Sequence, residues 1–137
     1  MDELNPETME IEAFIENSNY ETTINYKNHT IKSDEPIDHG GTDTGMTPKQ
    51  LLASSLASCI TITLKMYADI KKYKIHKITV NTNYLTAYDK EDPHLNLTVK
   101  IEGELDEKAM ERMNVIAHKC PIHKMLSRSI RINTNVI

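Results

Sequence analysis

Cys59 and Cys120 are the two thiols of this chain, and their surroundings differ. Cys59 lies inside the small-residue and apolar segment TPKQLLASSLASCITITLKMYADI, whereas Cys120 opens CPIHKML, directly before a proline. The thiolate is the nucleophile and metal ligand, while a cysteine deep in a core behaves as a small hydrophobe. The pair therefore reads either as one inert and one reactive site or as a redox couple. Two cysteines cannot build a four-sulfur zinc site and no close CxxC spacing occurs, so a metal held by the pair is not expected.

Local sequence can activate Cys120. At the cap position of a short helix beginning with Pro121, its sulfur would face free backbone amides and the positive helix end, which favour thiolate. His123 lies one turn on and Lys124 adds positive charge. The competing reading is a buried cysteine beside a bend imposed by Pro121 alone, and both stay open. Cys59 falls about 11 residues, or roughly 17 Å, beyond the start of its helix, where the end field has faded. Core packing is the favoured reading there unless a side chain or neighbouring subunit supplies positive charge.

The elements that would hold these thiols follow from periodicity. Residues 1–8 read as a flexible tail and 9–137 as a single domain. MEIEAFI, YETTINY and HTIKS suit three short antiparallel strands, the last two joined at Lys27-Asn28. The loop DEPIDHGGTDTGM leads to a helix start where Thr47 supplies the cap, Pro48 the first position and Gln50 the capping box. Over residues 48–72, Leu52, Leu56, Cys59, Thr63, Tyr67 and Ile70 share one helix face, broadened by Leu51, Ile60, Leu64 and Met66. So much apolar girth suits a core or an oligomer interface. HKITVNTNY and LNLTVKI alternate as two strands joined through the acidic YDKEDP. Asp106 caps a second helix whose Met110, Met113 and Ala117, with Ile116 beside them, meet the core, and SIRINTNVI closes as a strand. The expected fold is α+β, in the order βββ-α-ββ-α-β.

Composition narrows the function. Acidic residues number 20 against 16 basic, the net charge is −4 and no lysine–arginine tract occurs, which argues against nucleic acid. The longest uncharged run, QLLASSLASCITITL, has 15 residues and several hydroxyls, too short and polar for a membrane span. The acidic amino terminus lacks the order of a secretory signal. A cytoplasmic, reducing compartment is expected, where a transient disulfide is favoured over a permanent one. GGTDTG is neither a P-loop nor a dinucleotide fingerprint, so no cofactor is expected.

Taken together, GGTDTGMTPKQLLASSLASC and, about sixty residues later, CPIHKML resemble the OsmC/Ohr family of thiol-dependent hydroperoxide reductases, over residues 9–137. The resemblance implies an intertwined homodimer with long central helices between curved antiparallel sheets. It implies that Cys59 attacks an organic hydroperoxide and becomes a sulfenic acid. Cys120 would then resolve it as an intramolecular disulfide, and an external thiol reductant would restore both. In active members an arginine from the amino-terminal half and a glutamate at the start of the central helix assist the first thiol. Here Gln50 stands at the glutamate position and no arginine precedes Arg112. Lys27, Lys32, His29 and His39 are the basic groups available as substitutes, and none reproduces a guanidinium fork. The alternative is a noncatalytic or weakly catalytic binder of a small apolar ligand, or a stress-associated protein, on the same scaffold.

Overall fold

A computed structural model of the chain describes residues 9–85 and 94–137, with the backbone alone at Tyr84 and Leu85. The predicted tail at 1–8 and the acidic connection at 88–93 lie outside these residues. The chain forms two compact units, Met1–Leu51 and Leu52–Ile137.

In the first unit, β1 (Glu12–Phe14), β2 (Thr22–Tyr26) and β3 (His29–Ser33) form an antiparallel sheet in that order. Tyr26 pairs with His29 across Lys27-Asn28, and Lys27 takes the left-handed conformation (φ 51°) that a tight hairpin demands. The following loop is organised around the buried carboxylate of Asp34. Its Oδ1 accepts from the Glu35 amide at 2.8 Å. Its Oδ2 sits among the amides and hydroxyls of Thr42 and Thr44 at 2.7–3.2 Å. Gly41 closes this loop because a Cβ there would stand 1.9 Å from the Glu35 carbonyl oxygen. Hydrogen bonding, led by the Thr42 hydroxyl, holds Asp34 far below the usual carboxylate range against the opposing effect of burial. Glu21 accepts from Lys32 Nζ at 2.6 Å and lies 2.9 Å from the Thr44 hydroxyl. That hydroxyl has one proton and donates to Glu21 or Asp34, not to both at once.

Helix α1 (Pro48–Lys71) opens with the expected capping box. The Thr47 amide donates to Gln50 Oε1 at 3.0 Å and the Gln50 amide to Thr47 Oγ1 at 3.3 Å. The second unit adds an antiparallel hairpin, β4 (Lys74–Leu85) with β5 (His94–Glu104), and helices α2 (Glu107–Ala117) and α3 (Pro121–Leu126). Asp106 caps α2 by accepting from the Ala109 amide at 2.8 Å. At Gly103 a Cβ would stand 2.2 Å from the Lys74 carbonyl oxygen, so glycine allows β4 to start tight against the end of β5.

The core of this unit is Leu56, Ile60, Leu64, Ala68, Met113 and Cys120. The alternating strand residues pack on it as expected: Ile78 and Val80 from β4, and Leu95, Leu97, Val99 and Ile101 from β5. The buried line of α1 is turned from the expected one. It runs every fourth residue through 56, 60, 64 and 68, while Leu52, Met66 and Ile70 are exposed. A helix apolar around much of its girth has no strong preferred face, so the sheet and α2 choose the line that packs closest. Met110 of α2 is likewise exposed, whereas Ala109 and Met113 are buried. By length and composition α1 could cross a membrane, yet its inner line packs inside this unit and it carries the Lys65–Asp69 ion pair.

The expected last strand is absent. Residues 129–137 form no strand, and Ile132 and Val136 are 80% and 90% exposed. Alternation makes a strand only where an open edge receives its backbone hydrogen bonds, and none of the described strands pairs with this segment. The observed order is βββ-α-ββ-α, extended by the short α3.

Candidate active site

The second unit brings the two thiols together. Cys59 lies midway along α1, half-buried, with Sγ 4.0 Å from the Thr63 hydroxyl one turn on. It borders the core cluster that contains Cys120. Cys120 is fully buried and caps α3 as its sequence suggested: the backbone is extended (φ −65°, ψ 141°) and Sγ accepts from the His123 amide at 3.2 Å. Pro121 occupies the first helical position, where its missing amide proton costs nothing. Both thiols are free.

Of the two readings left open for Cys120, the cap acts in the expected direction but burial outweighs it. Burial pushes the Cys120 thiol above its ordinary value. The His123 amide opposes this and the hydrogen-bonded Cys59 side chain adds to it. The amides at the start of a six-residue helix supply less than the water withheld from a thiolate, so the balance favours the thiol form.

A cavity of about 350 Å³ in this unit is lined by Leu52, Leu56, Leu95, Leu97, Leu126 and Ser127 together with His94 and His123; neither thiol is among these residues, and Leu56 links it to the core cluster that holds Cys120. The leucines give it an apolar wall, and the two imidazoles are its titratable groups. His123 thus lines the cavity and also donates its amide to Cys120, with its ring Nδ1 3.5 Å from the Ser127 hydroxyl. The ring of His118 stands 5.7 Å from it. Sequence reasoning missed His94 and the cavity, because the first residue of a strand has no local signal for what its side chain will face.

The other candidates fall in the first unit or on the surface. Gln50 is engaged in the helix cap through its Oε1. Lys32 is paired with Glu21, and Lys27 lies over the Tyr26 ring at 5.3 Å. His29 is exposed, and His39, also exposed, faces Asp38 at 3.4 Å. Among the described residues, no group of three or more His, Cys, Asp or Glu side chains could hold a metal ion.

Comparison with known proteins gives this geometry its relatives. The family model described as OsmC-like protein matches residues 41–135. Among curated proteins none matches the chain. Of solved structures, 32 chains match. A Psychrobacter arcticus protein named for osmotic stress induction and a detoxification response is 25% identical, with a TM-score of 0.73, over 83% of this chain and 85% of its own. An OsmC-like protein from Mycoplasma pneumoniae is 22% identical, with a TM-score of 0.75, over 90% and 89%. The organic hydroperoxide resistance protein OhrB of Bacillus subtilis is 20% identical, with a TM-score of 0.56, over 85% and 88%. The last two likenesses concern the fold alone.

Proposed function

Since the chain belongs to the OsmC-like protein family, we propose that it is a thiol-dependent peroxidase that reduces organic hydroperoxides in the cytoplasm, with residues 9–137 acting as one domain. The observation that carries this reading is the pair of free, neighbouring thiols in one core, one half-buried and one fully buried. The accessible thiol is the one a peroxide can reach. Cys59 attacks the terminal peroxide oxygen, the O–O bond breaks, and an alcohol leaves as Cys59 becomes a sulfenic acid. The Cys120 sulfur then attacks Cys59, its proton and the sulfenic hydroxyl leave as water, and the disulfide forms. Two electrons from an external thiol reductant return both sulfurs to thiols. A protonated Cys120 suits the resolving role, since it stays unreactive until a sulfenic acid stands beside it.

A second copy of the chain is part of the proposal. The exposed apolar residues Ile62, Met66 and Ile70 on α1, and Ile132 and Val136 in the final segment, are surface that a homodimer would cover. The leucine-lined cavity suits the alkyl or aryl part of a hydroperoxide.

Treatment of the reduced protein with one equivalent of cumene hydroperoxide is expected to yield a species lighter by two hydrogens, with Cys59 and Cys120 joined in one peptide pair on mass spectrometry. Rapid peroxide consumption by the Cys59→Ser variant would reject the assignment. A second reading is favoured by one observation: among the described residues, neither sulfur has a charged hydrogen-bond partner. On it the protein binds a small apolar ligand in the same cavity without turnover, and peroxide would oxidise Cys59 no faster than a free thiol.

A further inference from the structure

A larger cavity of about 580 Å³ lies in the same unit and plays no part in the thiol chemistry. It is lined by Tyr67 and Lys71 from the end of α1, Tyr73 before β4, and Lys108 and Arg112 from α2. The rings of Tyr67 and Tyr73 meet edge to face, 6.1 Å apart at 65°. Arg112 Nε donates to the Tyr67 hydroxyl at 3.0 Å, which fixes the guanidinium 5.9 Å from that ring centre. Lys71 Nζ also stands 5.9 Å from the Tyr67 ring.

Charge and shape select the ligand. Among the described residues, none of Lys71, Lys108 and Arg112 forms an ion pair. Of the three acids in the lining, Asp106 is occupied by the Ala109 amide and Glu104 faces Lys74 at 3.7 Å, leaving Glu111. Three cations beside three carboxylates do not favour a polyanion, but they accommodate one negative charge placed at the guanidinium. The two terminal amino groups of the Arg112 guanidinium retain the planar fork that grips a carboxylate with two parallel hydrogen bonds. The tyrosine pair offers a ring face and edge, and Leu105, Ala109 and Val115 add apolar surface. Burial and the neighbouring Tyr67 raise the Tyr73 phenol above its ordinary value, so it remains a neutral wall.

We propose that this cavity binds a small aryl carboxylate, with the carboxylate on Arg112 and the ring against Tyr67 and Tyr73. Its volume falls in the range usual for small-molecule sites. The inference is independent of the peroxidase reading.

The test is a titration of the reduced, full-length, 15N-labelled protein with 3-phenylpropionate, followed by amide shifts. Saturable shifts centred on Tyr67, Tyr73, Ala109 and Arg112 are expected, with 3-phenylpropanol and acetate each binding at least about tenfold more weakly. Arg112→Gln is expected to weaken binding by about tenfold or more, and Arg112→Lys, which keeps the charge but loses the fork, to weaken it less. Absence of saturable shifts, equal binding of the alcohol, shifts centred on Leu56 and His123, or unchanged affinity in Arg112→Gln would each overturn the proposal.

Discussion

Asp34 and Cys120 are both acids removed from water, and their ionisation moves in opposite directions. Asp34 is 2% exposed and Cys120 is not exposed at all. Asp34 is surrounded by three amides and two hydroxyls, all able to donate, and its carboxyl is held strongly ionised. Cys120 Sγ receives the His123 amide and lies against another thiol, and it is held protonated. Burial alone therefore does not set the charge of a buried acid; the balance between desolvation and the donors pointed at it does. The first region uses a charge to fix a loop. The second withholds water from a thiol and leaves it neutral.

The strongest way to break this comparison is to remove the Asp34 carboxylate. Asp34→Ala leaves three amides and the Thr42 hydroxyl without their acceptor, while the Thr44 hydroxyl keeps Glu21, and Tm is expected to fall by roughly 5–10 °C. Because Asp34 has a depressed folded pKa, its stabilising effect is complete above the ordinary Asp value of about 3.9 and disappears as pH falls through the folded value. The Tm gap between wild type and Asp34→Ala should thus be constant near neutrality and close only in strong acid. A gap already closed at pH 5 would contradict the assigned direction.

Cys120 sharpens the other side. Its rate of alkylation by iodoacetamide, followed by peptide mass spectrometry, is expected to be about tenfold below that of a free thiol at pH 8, with a midpoint above the usual thiol range. In Cys59→Ala the midpoint should move down, since Cys59 contributes to the upward shift. A midpoint below the ordinary thiol value would mean that the helix cap outweighs burial. The smallest effect is expected at Gln50. Loss of one half of the capping box in Gln50→Ala should cost about 0.5–1 kcal/mol in denaturant unfolding, and a loss above about 3 kcal/mol would show that Gln50 does more than cap α1.

Much of the fold was legible because its signals are local. Thr47 with Gln50, Asp106 with Ala109, and Cys120 with His123 each make their contact within three residues, so sequence spacing alone specifies the geometry. The alternation also survives in β5 and, from Ile78 onward, in β4, where a bulge between Ile75 and Lys77 shifts the register before it, since a strand that meets a core on one side shows that side in its pattern. The candidate site was legible only in its thiols. His94 and His123 reach one cavity from elements about thirty residues apart, and no spacing rule announces such a meeting.

What the chain determined by itself is where helices begin, which residues alternate, and which sulfur sits at a helix cap, because each depends on neighbours within a turn. What only the tertiary structure decided is which line of α1 is buried, that residues 129–137 form no strand, and that Cys120 is shut from water strongly enough to outweigh its cap. Those outcomes depend on surfaces supplied by distant residues, and desolvation is a property of the assembled core rather than of any segment of it.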